Sequence, residues 1–262
     1  MSVPVVLVHG LWIHADAWQP WIAHLRNQGY DPVAPGWPDD PATVEEARAH
    51  PERLAGKGVQ DIVDHYAAVI RGLPEPPLLI GHSFGGLVVQ KLLGMNLGVA
   101  AVAIDAAPIK GVLPLPFSAL KASSPVLLNP ANRKRAVALT REQFRYAFGN
   151  AIPAAESDAL WERWTIPGAG RPLFQAASAN VNPRSETRVD TANTARGPLL
   201  LVGGGRDHTV PLAITRATLK QYRKSSAVTD LEVLPDRGHS LTMDDGWPEV
   251  ADLALRWFEK SR

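Results

Sequence analysis

The sequence predicts an α/β fold, a mostly parallel sheet of about six strands flanked by helices, with a helical cap insertion. Three observations carry that expectation. Short runs rich in Val, Ile and Leu alternate along the chain with stretches whose apolar residues recur at helical spacing, an order that yields parallel strands joined by right-handed crossovers. Most of the runs are apolar throughout rather than at every second residue, as strands buried on both faces require. The middle of the chain, from Ile109 to about Arg196, has no convincing strand and alternates prolines with short helical patterns.

Val3–Val8 is the first strand, a β-branched and leucine run that begins almost at the first residue and stops at His9-Gly10. Trp18–Gln28 reads as a helix, with Trp18, Trp21, Ile22 and Leu25 on one face and Gly29 ending it. Tyr30–Ala34 is a short second strand, and the Pro, Gly and Asp residues of 35–41 make a loop. Acidic and basic residues mix over Val44–Leu54 around Pro51, so one or two short surface helices with a solvated charged face are expected there. Val59–Leu73 places Ile62, Val63, Tyr66, Val69 and Ile70 at helical intervals and is ended by Gly72 and Pro74. Pro77–Ile80 is a strand, Gly86–Leu93 a helix, and Val99–Ile104 the next strand, ending at Asp105. Within the middle segment, Arg141–Phe148 and Glu156–Trp164 are the clearest helical patterns. Strand texture returns at Pro198–Val202 and Thr229–Leu234 with a helix over Leu212–Tyr222 between them, and Trp247–Lys260 closes the chain as an amphipathic helix. The core is therefore expected over residues 1–108 and 196–262, with 109–195 as the cap.

Composition narrows the function classes. A chain of 262 residues can bury a substantial core as one domain with one insertion. A formal charge of +1 gives no electrostatic reason to expect nucleic acid or an anionic membrane as partner. The absence of cysteine excludes disulfides, thiolate catalysis and cysteine-ligated zinc. No signal-peptide pattern opens the chain and no apolar run is long enough to cross a bilayer, so a cytoplasmic location is expected. Arg133-Lys134-Arg135, with Arg141 and Arg145, forms a basic run, but no aromatic residues interleave with it in the manner of nucleic-acid binders, and a solvated surface is expected.

The chemistry centres on Gly81-His82-Ser83-Phe84-Gly85, between a strand and a helix. In a GxSxG turn the serine adopts a strained conformation that lifts its hydroxyl above the strand ends, and glycines flank it because side chains there would collide with strand or helix. A plainer reading is a glycine-rich connection whose serine caps the helix. Choosing between the two requires a base, an acid and a second backbone donor in the right order.

Asp207 follows one later strand and His239 follows the last, so with Ser83 three groups fall at carboxyl ends of strands, where open α/β sheets bind ligands. A serine hydroxyl needs an imidazole to take its proton, and the imidazole needs a carboxylate to fix its tautomer. Serine, acid, histidine is the order expected of a strand-to-helix elbow. Asp207 could instead cap the helix near Pro211, and Asp105 is a rival acid. No HExxH or comparable ligand spacing surrounds His9, His14 and His24, so no metal site is expected. Gly203–Gly205 lacks the GxxxxGK[ST] phosphate signature and reads as a tight turn exposing Asp207.

Four motifs in this order, His9-Gly10-Leu11-Trp12, Gly81-His82-Ser83-Phe84-Gly85, Gly205-Arg206-Asp207-His208-Thr209-Val210-Pro211 and Gly238-His239-Ser240, together resemble the α/β-hydrolase superfamily. The likeness is to its small, cofactor-free esterase and lipase-like members and covers the chain outside the insertion. It implies Ser83 as nucleophile, His239 as base and Asp207 as acid, although some members carry the acid where Asp105 stands. It also implies an oxyanion hole from the backbone N–H groups of Leu11 and Phe84, with Trp12 as an alternative donor and a pocket wall. The first strand lies almost at the N-terminus, leaving no room for the antiparallel hairpin that opens larger members. The insertion would cover the strand ends, where Phe144, Phe148, Trp161 and Trp164 are candidates for lining the pocket, although aromatic stripes on helices more often pack internally.

The expected activity is hydrolysis of carboxylic esters of small to medium, largely apolar substrates through an acyl-enzyme. Neither cofactor nor metal is called for, the partner is a small-molecule ester, and oligomeric state is not indicated. A lactonase, C–C bond hydrolase, amidase or cofactor-free perhydrolase would use the same triad. Haloalkane dehalogenases and epoxide hydrolases place aspartate where Ser83 stands, and a non-catalytic ligand-binding homologue would usually lose one of the three residues kept here.

Overall fold

The computed structural model describes residues 2–261; Met1 and Arg262, the outer ends of the expected core, lie outside the described residues. Strand β1 (Pro4–Val8) leads to helix α1 (Gln19–Asn27) and β2 (Asp31–Val33), and then to α2 (Val44–Ala49), α3 (Pro51–Leu54) and α4 (Val59–Arg71). β3 (Leu78–His82), α5 (Phe84–Gly94) and β4 (Ala100–Ile104) follow. Then come α6 (Phe117–Leu127), β5 (Ala136–Val137), α7 (Arg141–Ala147), α8 (Ala154–Trp164), β6 (Gly168–Ala169) and α9 (Arg171–Ala177). β7 (Leu199–Gly204), α10 (Leu212–Gln221), β8 (Thr229–Leu234) and α11 (Trp247–Ser261) complete the order.

Six strands form one sheet in the order β2-β1-β3-β4-β7-β8, and every neighbouring pair is parallel. Alternation of side chains splits each central strand between two cores. Val6, Val8, Leu79, Ala101 and Leu201 face one core with α4 and α5, whereas Val5, Leu7, Ile80, Val102 and Leu200 face the other with α1 and α11. This two-sided burial is why the strands read as uninterrupted apolar runs. β2 and β8 are the edge strands, and the half-exposed pattern of β8 matches the polar residues within it. Among the described residues no helix is long and apolar enough to cross a membrane.

The chain from β1 goes outward to β2 and then returns to β3 on the other side of β1, which places a topological switch point between β1 and β3. At such a point the loops leaving adjacent strands diverge and open a crevice. The helical insertion between β4 and β7 lies over that crevice: α6 and α9 line a cavity that reaches Ser83.

Two features of the insertion were not legible in the sequence. β5 and β6 form a two-residue antiparallel pair, Ala136 with Ala169 and Val137 with Gly168, where no strand was expected. So short a ladder has no apolar run to announce it. Helix α6 continues through Pro125, which cannot donate to the carbonyl of Lys121; the Ser124 hydroxyl donates to that carbonyl instead, at 2.8 Å.

Candidate active site

Ser83 stands between β3 and α5 with φ +56° and ψ −120°, a conformation costly for any residue with a side chain. The surroundings hold it there. Its N–H donates to the Ile104 carbonyl at 3.0 Å and its carbonyl accepts from the Ala107 N–H at 2.9 Å, so β4 and the loop that follows it grip the turn from both sides. A Cβ on Gly86 would lie 2.7 Å from that of Ala106, so only glycine lets α5 pack this closely.

His239, fully buried in the loop after β8, faces Asp207 through Nδ1 and Oδ2 at 2.6 Å. The other Asp207 oxygen accepts the N–H groups of Thr209 at 2.6 Å and Val210 at 2.9 Å. Asp207 thus faces three nitrogen donors or ring nitrogens through its two oxygens. An ionised carboxylate only accepts, so Nδ1 of His239 carries the proton and Nε2 keeps its lone pair. That Nε2 is buried and has no hydrogen-bond partner among the described residues.

Behind this pair the His239 loop is braced. Asp244, 2% exposed, is paired with Arg237 and accepts from the Ser240 hydroxyl at 2.7 Å, and Trp21 donates through its indole to the Thr242 carbonyl at 2.8 Å. Burial pushes the Asp244 carboxyl up, against the opposing pull of Ser240 and Arg237. His82 stands 4.5 Å from His239, ring to ring, and burial, then the nearby His239, hold its imidazole well below the usual range and therefore neutral.

Leu11 and Trp12 follow β1, beside Ser83: a Cβ on Gly10 would lie 2.6 Å from the Ser83 Cβ. Phe84 opens α5, where the first N–H groups have no acceptor within the helix. The Leu11 N–H makes no hydrogen bond among the described residues. Trp12 holds φ +67°, and its indole donates to the Val137 carbonyl at 2.9 Å, tying this loop to the insertion.

Ser83, Thr209 and Val210 line a cavity of about 210 Å³ whose walls include Trp12, Ile109 and Val112. No charged residue among the described ones lines it. Three of its four polar side chains are satisfied internally: Asn180 bonds the backbone of Gly111 and Val112, Thr209 the Ala147 carbonyl, and Ser123 its own helix. Ser83 is the fourth.

Of the five residues expected to line the pocket, Trp12 does so and Phe144, Phe148, Trp161 and Trp164 do not. Phe144 and Phe148 are buried and stacked at 4.9 Å, and the Phe148 ring packs edge-on against His239 at 4.8 Å. Trp161 donates to the Leu139 carbonyl at 2.9 Å beneath Arg141, and Trp164 packs under Arg163. The aromatics of α7 and α8 thus build the insertion and support the histidine. The cavity wall comes instead from 107–115, α6 and α9, small and aliphatic residues whose only signal in the sequence was an apolar, proline-rich stretch.

Asp105 and Asp207 with His239 form the only cluster of His, Cys, Asp and Glu side chains among the described residues close enough to hold a metal ion, their nearest donor atoms lying within 4.8 Å of one another. Asp207 and His239 face each other with those atoms, and Asp105 Oδ1 accepts the Gly204 N–H at 2.7 Å. Asp207 Oδ2 and His239 Nδ1 are taken up by each other, whereas Asp105 Oδ2 and His239 Nε2 have no hydrogen-bond partner among the described residues. Asp105 Oδ2 lies 4.0 Å from His239 Nδ1, against 2.6 Å for Asp207, so the structure places Asp207 as the nearer acid.

Comparison with curated proteins finds no match. Among solved structures, polyneuridine aldehyde esterase superposes with a TM-score of 0.69 at 18% identity, over 98% of this chain and 99% of that one. Tomato methylketone synthase I gives 0.70 at 16% identity over 100% of both chains. A monoacylglycerol lipase of Paleococcus ferrophilus gives 0.66 at 20% identity, over 99% of this chain and 95% of that one. Residues 5–253 match the family described as the alpha/beta hydrolase family. With that span, six parallel strands in this order and a helical insertion over their carboxyl ends, the chain belongs to the alpha/beta hydrolase family.

Proposed function

We propose that the protein is a serine hydrolase that cleaves carboxylic esters of small to medium apolar substrates, with residues 109–195 as the cap over its acyl or alcohol pocket. Family membership supports hydrolase chemistry of the esterase type in general. The observation that carries the finer reading is the His239–Asp207 contact at 2.6 Å, beside a cavity whose one polar group left without an internal partner is Ser83.

Ser83 Oγ attacks the ester carbonyl carbon while Nε2 of His239 takes its proton. Asp207 keeps the Nδ1 proton in place and stabilises the imidazolium. The carbonyl oxygen, now negative, receives the N–H groups of Leu11 and Phe84, and each such donor is worth about 3 kcal/mol in the transition state. The C–O bond to the alcohol breaks as Nε2 returns the proton to the leaving oxygen, which leaves an ester on Ser83. Water, deprotonated by the same Nε2, then attacks that ester and releases the acid and Ser83. The uncharged wall accounts for the preference for apolar substrates, because a charged group would lose its hydration with nothing to replace it.

A fluorophosphonate probe tests this directly. The wild-type chain is expected to be labelled covalently and Ser83→Ala not at all, with both giving the same melting temperature. Equal labelling of the two proteins would remove Ser83 as nucleophile.

A further inference from the structure

Asp105 has no part in the reaction as written, yet it is placed as though it had one. It follows β4, is fully buried, and holds φ +40°, a left-handed conformation that persists only where the surroundings over-determine it. Its N–H donates to the Val202 carbonyl at 2.9 Å and its Oδ1 accepts the Gly204 N–H at 2.7 Å, so its carboxyl is fixed between β4 and β7. Oδ2 meets no N–H donor among the described residues. It lies in one buried cluster with Asp207 and His239, donor atoms within 4.8 Å of one another, and two carboxyls so close in a buried site are best accommodated when one carries a proton.

The charges facing Asp105 say where that proton belongs. Asp207 comes from the turn after β7, His239 from the loop after β8, and His82 from β3. His82 is neutral, and Arg237, the cation whose charge reaches Asp105, is paired with Asp244 and with Glu249 at 3.5 Å. Two ionised carboxyls would therefore share one imidazole in a dry site. Asp207 accepts three N–H groups and Asp105 only one, so a proton in this cluster of carboxyls sits on Asp105.

We propose that Asp105 is protonated and donates a hydrogen bond to the Asp207 carboxylate, which makes it a positioning residue that holds Asp207 against His239. Burial, then the charge of Asp207, push the Asp105 carboxyl well above the usual range, in agreement with this placement. The hydrogen bond also draws electron density from Asp207, so the Nδ1 proton stays on His239 when the imidazolium forms. The effect on turnover rests on the serine-hydrolase reading. The proton itself does not.

The first test needs no substrate. An infrared spectrum of the whole protein at neutral pH is expected to show a protonated carboxyl band that Asp105→Asn removes; its absence from the wild type would overturn the assignment. The second is the acid limb of the kcat/KM profile, which reports His239. Asn is neutral and can donate in the same place, so Asp105→Asn should keep kcat/KM within about threefold and leave the midpoint where it was. If Asp105 were ionised, the same change would delete a negative charge 4.0 Å from Nδ1 and lower the midpoint by about one unit or more, refuting the proposal. Asp105→Ala, which removes the donor, should lower kcat about tenfold with KM unchanged. Wild-type kcat in a folded Asp105→Ala would reject the positioning role, and if that variant does not fold, the Asn variant and the infrared band still decide. Should Ser83→Ala leave probe labelling intact, the hydrolase reading fails while the infrared result stands on its own.

Discussion

Gly10→Ala tests whether the loop after β1 and the Ser83 elbow are locked together as the proposed chemistry requires. The new Cβ would lie 2.6 Å from the Ser83 Cβ and 3.0 Å from the His82 carbonyl oxygen. Ordinary contact begins near 3.4 Å, so the two elements must separate by about 0.8 Å. Ser83 has little room to retreat, because its backbone is held by Ile104 and Ala107 in a strained conformation. Part of the displacement therefore falls on Gly10 and carries the Leu11 N–H away from the position it must hold. Misplacement of about 1 Å costs on the order of 10²-fold, and outright loss of one oxyanion donor about 10²- to 10³-fold. We expect kcat/KM for a p-nitrophenyl ester to fall about 10²-fold, with about 1–3 kcal/mol of stability lost to overpacking. Gly29→Ala is the control: at φ +84° with nothing within 4 Å, it strains the backbone far from the site and should lower the melting temperature without changing kcat/KM. A Gly10→Ala enzyme within about threefold of wild-type kcat/KM would refute the coupling and, with it, Leu11 as an oxyanion donor.

Asp244→Ala removes the shared partner of Arg237 and Ser240 under the His239 loop, and breaking such a buried pair costs about 3–5 kcal/mol. Calorimetry should show a melting temperature lower by about 6 °C or more, and kcat should fall because His239 loses its brace; an unchanged melt would mean that the loop is held elsewhere. Asp105→Asn should change how stability depends on pH. The folded chain keeps the Asp105 proton above the ordinary carboxyl value of 3.8 where the unfolded chain releases it, so this group's contribution is full in acid and falls as pH rises through that window. The Asn variant should thus gain melting temperature relative to the wild type as pH is raised from acid to neutral, and a variant that loses ground to the wild type over that range would contradict a raised Asp105.

The sheet and the candidate site residues at its strand ends were legible in the sequence for one reason: each is constrained locally. A strand covered on both faces must be apolar at every position, so β1, β3, β4 and β7 announce themselves. The glycines around Ser83 are required by distances of a few ångströms to the adjoining backbone, and the order of Ser83, Asp207 and His239 follows from which strand each one ends. The resemblance favoured Asp207 over Asp105 as the acid, but the distances that separate the two were beyond the sequence. Both follow apolar strands that lie side by side, and the difference between 2.6 Å and 4.0 Å to the same nitrogen is set by how the loops after β7 and β8 meet.

The pocket was misread for a related reason. Phe144, Phe148, Trp161 and Trp164 share helical spacing with apolar neighbours, and spacing identifies a buried face without saying whether that face meets protein or ligand. Here it meets protein. Phe148 backs onto the His239 ring, so the aromatic residues of the cap act on the imidazole from behind, while small side chains such as Ala107, Ala119 and Ala122 leave the volume in front of Ser83 open. A large residue at those alanines would close the cavity, and a small one at Phe148 would enlarge the space behind the base. The insertion thus divides by side-chain size into a part packed behind His239 and a part that leaves the cavity at Ser83 open. That division lies in contacts between helices far apart in the chain, which no local pattern encodes.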